Sequence, residues 1–364
     1  MRKAIFAILI AIVVFAWLAI PPGMMPTLAS DQPVDAEATR ARLAALARAK
    51  VFVDSVTEQR EAPVDEIDCR FLNTPVSGTT PKFDCTLDDG QRIRVKYASQ
   101  ELHAEVATTH LLAALGFGAD DVSMARRVRC YGCPRWPMLA RQAAERLHLD
   151  KFLQDRIDYD RYADFEWVSV ERRGRTNELE FGDQEGWSWN ELSGVNPSLG
   201  GATHAEVDAF RLMAMFLNHW DNKAANQGLI CPSLSDSSKQ SAPDDEPKCD
   251  HPLAMTKDVG STFGPKKVDL QAWGESPVWT DSAGCTISMK HLPYHGSTFP
   301  EVSVSEEGRR LLADRLLKLT TPQLTAFFTS ARFDDVDRWV AAFDRRVDAI
   351  ARRPPCPSMN ETHR

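Results

Sequence analysis

The chain has 364 residues, 43% of them hydrophobic and 26% charged, which excludes extensive disorder and leaves room for one large domain or two lobes. Its net charge of −8 excludes nucleic acid as the main partner, because binding a phosphate backbone needs clustered Lys and Arg. A local basic pocket for a small phosphate remains compatible with that balance.

At the N-terminus, Arg2 and Lys3 precede an uninterrupted apolar run, Ala4 to Ile20, ended by Pro21, Pro22 and Gly23. This predicts a secretory signal or signal anchor over 1–30. The rest of the chain is then exported (periplasmic, extracellular or in a secretory lumen), and it meets a membrane through this segment if the segment is retained. Cysteine usage fits an oxidising compartment: Cys69, Cys85, Cys130, Cys133, Cys231, Cys249, Cys285 and Cys356 make an even set. Cys231 and Cys249 bracket a polar segment, so a bridge between them is the first expected pairing, and Cys69 with Cys85 the second. Cys130 and Cys133 form a CxxC followed by Pro134, which excludes haem attachment. A local disulfide or pairing elsewhere is expected there ahead of zinc or redox chemistry.

Residues 31–60 predict a juxtamembrane or capping helix, with Leu43, Leu46, Ala47 and Val51 at helical spacing. From 61 to 133 the texture favours strands. Phe83 to Leu87 and Arg92 to Tyr97 predict a hairpin turned at Asp88-Asp89-Gly90, with Ile93 and Val95 on one face and Arg92, Arg94 and Lys96 on the other. Glu101 to Leu115 predicts a helix closed by Gly116. Val122 to Cys130 reads as a strand, and the following CYGCPRWP as a connector to a second lobe over 134–353. There, Phe165 to Arg172 predicts a strand, and Trp187 and Trp189 a loop packed on the larger lobe. Thr203 and Glu206 form a capping box opening a helix with Val207, Phe210, Met213, Ala214 and Leu217 on one face. That helix ends where HWDNKAANQ begins. A short strand, the polar insert and the apolar run before Asp258-Val259-Gly260 follow. Helices over Ser305–Leu319, Pro322–Arg332 and Val336–Arg352 complete the lobe, and 354–364 is a tail.

His219, Asp221, Lys223 and Asn226 have the spacing H-x-D-x-K-x-x-N, on a loop after a buried helix. Phosphoryl transfer needs an aspartate to orient the acceptor hydroxyl, a cation near the phosphate and an oxygen ligand for a metal, and a short loop can hold all three. Asp221 fits the first role, Lys223 the second and Asn226 the third, while His219 orients the loop. Upstream lie Lys96 at a strand end and Glu105 on the next helix, with Glu101 as its rival. Downstream, Asp258 beside Gly260 suits a magnesium ligand. Singly, each is as readily a solvated charge, a cap or a turn; their order is the signal. No HExxH pair and no GxSxG occur, so zinc hydrolysis and an α/β-hydrolase are excluded.

In that order the residues resemble the protein-kinase-like superfamily, in the style of its atypical branches: the phosphatidylinositol 3-/4-kinase-like proteins and the secretory-pathway kinases. The resemblance spans roughly Cys69 to Gly264. It implies an α+β, two-lobed fold, with a small antiparallel β N-lobe and a mainly helical C-lobe. It also implies ATP with Mg or Mn as cofactors and transfer of the γ-phosphate to a hydroxyl on a protein, lipid or sugar. Lys96 would bind the α/β-phosphates and Glu105 would hold it; Asp221 would be the catalytic aspartate; Asn226 and Asp258 would bind the metals. The chain departs from the pattern in having no GxGxxG. Pro75 to Thr80 stands in its place, where the backbone of Ser77, Gly78 and Thr79 would cradle phosphate. Trp220 replaces the usual arginine, Val259 the usual phenylalanine, and no APE follows. The missing glycine loop keeps a second reading in view, a catalytically inactive kinase-like binding or scaffold protein at the cell envelope. A disulfide-exchange protein built on Cys130 and Cys133 would need a thioredoxin-like βαβ setting that the sequence lacks.

Overall fold

The computed structural model describes residues 35–53, 63–172, 178–232, 249–293 and 297–357. The expected signal, most of the polar insert after Cys231 and the end of the tail lie outside the described residues. The fold is mixed α+β, and the described residues from Glu37 onward form one compact unit.

Alternation, broken once in β5 and β6, builds the first layer. β1 (Val64–Leu72), β2 (Lys82–Thr86), β3 (Arg92–Lys96), β5 (Val122–Tyr131) and β6 (Tyr162–Arg172) close into a barrel in the order β1-β2-β3-β6-β5, while β4 (Gly118–Ala119) pairs elsewhere. Phe71, Phe83, Cys85, Ile93, Val95, Val128, Val168 and Val170 fill its interior. Side chains alternate across a strand, so the residues between them face out. In register, Lys82 lies opposite Lys96, Asp84 opposite Arg94, Lys96 opposite Ser169 and Arg94 opposite Glu171. The outer face of β2, β3 and β6 is therefore a charged ladder. The Cys69–Cys85 disulfide ties β1 to β2.

Two expectations are corrected here. The sheet is not wholly antiparallel: β1 pairs with β5 in parallel, Val64 to Arg70 against Ala125 to Tyr131. Five strongly twisted strands bring their edges together, and that pairing removes both edges at once. The barrel also runs past residue 133. The Cys130–Cys133 disulfide does not begin a connector to a second lobe; the chain forms a helical hairpin, α3 (Pro137–Arg146) and α4 (Asp150–Gln154), and returns as β6 to pair with both β5 and β3.

The larger core gathers around α5 (His204–Leu217), opened by the expected Thr203–Glu206 capping box. Every residue from Val207 to Leu217 is buried, so this helix is enclosed on all sides. α7 (Glu306–Leu316) packs along it, and α9 (Val336–Ala351) packs on α6 (Leu270–Glu275), α7 and α8 (Thr321–Ser330). Trp187 and Trp189 are fully buried against Phe210. α2 (Glu101–Ala114) lies between the barrel and this core, and Gly116 follows it with φ of 82°. The predicted helix over 31–60 is shorter and is built into the fold: α1 (Ala36–Ala47) buries Leu46 but leaves Leu43 out, and Arg42 donates to Glu191 through both terminal guanidinium nitrogens. Lys50 then bridges to Leu253 and Phe52 to Phe117, which makes this segment a strap across the core.

Candidate active site

β3 ends with Lys96 on the outer face of the barrel, and α2 begins five residues later. Glu105, one turn into α2, lies beneath that strand end. Lys96 Nζ donates to Glu105 Oε1 at 2.6 Å and to Asp258 Oδ1 at 2.8 Å. Lys96 and Glu105 are buried, whereas the Asp258 side chain is 36% exposed. Burial opposes the ammonium charge, but Glu105 and Asp258 outweigh it and hold Lys96 above the ordinary lysine range. Burial likewise opposes the Asp258 carboxylate, and contact with Lys96 reverses that, holding it well below the carboxylate range. For Glu105 burial wins over Lys96, and its carboxyl is pushed up to about 7.

Asp258 is set by a sheet and a glycine. β7 (Gln227–Ile230) and β8 (Leu253–Thr256) are antiparallel, with Gln227 opposite Thr256, so Asn226 before β7 and Asp258 after β8 leave the sheet side by side. The Lys257 N–H donates to the Asn226 carbonyl at 2.8 Å. Asp258 takes φ of 50°, a left-handed conformation that Asp tolerates. Gly260 is required by close approach, since a Cβ there would lie 2.2 Å from Glu101 Cγ. Glu101 therefore does not compete with Glu105. Instead it accepts from Thr80 Oγ1 at 2.6 Å and pairs with Lys267, tying the β1–β2 loop to the segment after Asp258.

The HWDNKAANQ loop is anchored at both ends. α5 stops because Asn218 turns left-handed, with φ of 55°. Arg346 of α9 donates to the Phe216 carbonyl at 2.8 and 3.1 Å and to the Met215 carbonyl at 3.3 Å, satisfying the last turn. Asn222, fully buried, pins the middle: its Nδ2 donates to the His219 carbonyl at 3.0 Å, and its Oδ1 accepts from Ser297 Oγ and from the backbone N–H groups of Thr298 and Phe299. The His219 ring does not orient the loop by hydrogen bonding. Both its nitrogens are buried without partners among the described residues, and burial lowers it to about 4, so it is neutral near pH 7. Asn226 Nδ2 donates to the Asp221 carbonyl at 2.8 Å. Asp221 is partly buried; its Oδ1 is itself buried, makes no hydrogen bond among the described residues and lies 3.6 Å from Lys223 Nζ.

The candidate loop Ser77, Gly78 and Thr79 is exposed between β1 and β2, and Gly78 lies beside Lys82 Nζ. Lys82 is a residue that sequence reasoning missed. Its side chain is buried opposite Lys96, and its Nζ has no hydrogen-bond partner among the described residues. Burial first, then the Lys96 charge, lowers its pKa. Lys96, Lys82 and Lys223 all act on the Asp258 carboxylate. One lysine thus contacts this carboxylate and two more are near enough for their charges to lower it, beside Asp221 and Asn226, a setting suited to an anionic ligand with a cation. The signal for Lys82 was its position two residues before Asp84 on the strand facing Lys96; for Asn222 it was its place inside the quoted loop.

Thus the fold and site define a mixed α+β protein with a buried lysine–carboxylate pair beneath a barrel and a polar loop after an enclosed helix. A solved structure of a Helicobacter pylori proinflammatory kinase, CtkA, is similar over 80% of this chain and 98% of that one, at 11% identity and a TM-score of 0.41. No protein-family model matches the chain, and no curated protein matches it by sequence.

Proposed function

We propose that the chain transfers the γ-phosphate of ATP to a hydroxyl on a protein, lipid or sugar acceptor, as an atypical member of the protein-kinase-like class. The observation that carries this reading is Lys96 Nζ held between Glu105 and Asp258, with the Asp221–Asn226 loop beside the same aspartate.

The donor set suits Mg or Mn. Asp258 and Asn226 offer hard oxygens on adjoining strand ends, and no hydrogen bond ends on Asn226 Oδ1 among the described residues. Asp258 and Asn226 would hold the ion, which when bound neutralises phosphate charge. Lys96, fixed by Glu105, would bind phosphate oxygens, and Lys82 would add a second ammonium. The backbone N–H groups of Ser77, Gly78 and Thr79 would close over the phosphates. Asp221, on the loop beside Asp258, would accept the proton of the acceptor hydroxyl. Lys223 beside it would offset charge on the transferred group.

Thermal unfolding tests this reading, with ATP alone, Mg²⁺ or Mn²⁺ alone, and both. Stabilisation should need both ligands and reach about 2.7 kcal/mol at a hundred times Kd. Asp258→Asn, which keeps the left-handed backbone, should abolish it. Asp221→Asn should keep the shift and lose ADP release with acceptor. No shift with millimolar ATP and metal would sink the reading; a shift without ADP release would favour the inactive binding protein.

A further inference from the structure

The turn that follows Gly260 is held in unusual backbone. Phe263, Lys267 and Val268 have φ of 56°, 58° and 51°, and Gly264 has 106°. A β-branched residue in the left-handed region is an outlier, and such conformations persist only where surrounding contacts fix them. What this turn delivers is Lys267. Its side chain reaches Glu101, the first residue of α2, and its Nζ lies 5.9 Å from the centre of the Trp220 ring. Trp220 directly precedes Asp221, and its Nε1 donates to the Gly264 carbonyl at 3.2 Å. The turn is therefore joined both to α2 and to the loop of Asp221.

Glu101 is where these ties meet. An acidic residue in the first turn of a helix is already favoured in water by the helix dipole, so it has no need of burial. Glu101 is nevertheless only 6% exposed. Its Oε2 accepts from Thr80 Oγ1 and from Lys267 Nζ together. Thr80 is also 6% exposed, while Ser77, Gly78 and Thr79 before it are exposed, so the loop is pinned at this end. A buried ion pair is weak evidence for stability, and its better-attested use is to hold parts of a structure in one register. Here the parts are the loop before β2, the helix that carries Glu105, the segment that carries Asp258 and, through Lys267 and Trp220, the loop that carries Asp221.

We infer that Glu101 is a positioning residue for the proposed phosphoryl transfer, a role that rests on the kinase-like reading. By holding Thr80 it fixes the backbone of Ser77, Gly78 and Thr79 over the phosphates. By holding Lys267 it makes that closure depend on the segment after Asp258. The chain has no GxGxxG whose own backbone would shape the cover, and a carboxylate outside the loop supplies the restraint instead.

Hydrogen exchange and calorimetry on the full chain, with ATP and Mg²⁺, test this. In the parent, amides of 77–79 should slow when both ligands are present. Thr80→Val and Lys267→Met should each reduce that slowing and raise the Kd for ATP–Mg²⁺ about tenfold, the loss of one charge-assisted hydrogen bond. Thr80→Ser, which keeps the hydroxyl, should behave as the parent does. Lys267→Met is the sharper probe, because in this scheme it reaches the loop only through Glu101. Ligand-free exchange of α5 and the barrel strands shows whether each variant is folded. Folded variants that bind ATP–Mg²⁺ and protect 77–79 as the parent does would overturn the role and leave the proposed function standing. A parent that binds no ATP–Mg²⁺ would sink the proposed function and this role with it.

Discussion

At the scale of single residues, two buried side chains that make no hydrogen bond among the described residues separate binding from folding. Lys82 opposes Lys96 and lacks a hydrogen bond, so it adds repulsion to the fold and an ammonium to the site. Lys82→Met keeps the packed stem and removes the charge. It should leave the thermal midpoint unchanged or slightly higher and weaken ATP–metal binding about tenfold, close to 1.4 kcal/mol by calorimetry. Lys96→Met is a poorer probe, because it strands Glu105 as an unpaired buried carboxyl at a cost of about 3–5 kcal/mol. His219 is the opposite case. Burial puts its folded value near 4 against an ordinary 6.5, so the fold favours the neutral ring. Stability from this group is complete above about pH 6.5 and is lost as pH falls toward 4, by about 3 kcal/mol in all. His219→Phe should flatten that acid limb in a pH series of unfolding midpoints, and an unchanged limb would assign it to other groups.

At the scale of elements, the site depends on where α5 stops. Its last carbonyls accept from the N–H groups of Asn218, His219 and Phe263 and from Trp273 Nε1, and Arg346 adds to them while donating to the Trp273 and Ser276 carbonyls at 2.7 and 2.5 Å. Arg346→Met should cost about 3 kcal/mol, since the Trp273 and Ser276 carbonyls lose their donor together. It should also weaken nucleotide binding, because the loop from His219 to Asn226 starts at that turn. Denaturant unfolding and calorimetry on the same variant check both. Few of these supports were legible in the sequence. The hairpin at Asp88-Asp89-Gly90, the α5 capping box and the C-terminal helices follow from turn chemistry and apolar spacing, which are local. Arg346 is 130 residues from Phe216, and nothing near it in sequence marks it as a cap.

At the scale of the whole molecule, four disulfides join the described residues, and they differ in what they restrain. Cys231–Cys249 and Cys69–Cys85 are the pairings expected from spacing, and Cys130–Cys133 is the local bridge. Cys285–Cys356 has a sequence separation of 71 and ties the chain after α9 back to the segment before β9 (Thr286–Ile287). Loop closure of that length is worth about 4 kcal/mol, against about 2 kcal/mol for Cys130–Cys133. The Cys285→Ser, Cys356→Ser pair should therefore lower the thermal midpoint more than the Cys130→Ser, Cys133→Ser pair; the reverse order would show that the short bridge, at the base of the α3–α4 hairpin, braces the barrel.

By itself the sequence determined most elements, the charged and apolar faces of the hairpin strands, and the candidate site as an ordered set of Lys96, Glu105, Asp221, Asn226 and Asp258. These rest on periodicity, turn residues and spacing, each readable within a few positions. Tertiary structure alone decided that the sheet closes through a parallel β1–β5 pair, that β6 belongs to the barrel, and that the segment after α1 straps the core. It also decided that Lys96 takes Glu105 and Asp258 while Glu101 holds Thr80 and Lys267, that Lys82 joins the site, and that Asn222, not the His219 ring, pins the loop. The physical reason is the same throughout. Which polar group meets which partner in a buried place depends on contacts between residues far apart in sequence, and local patterns carry no record of them.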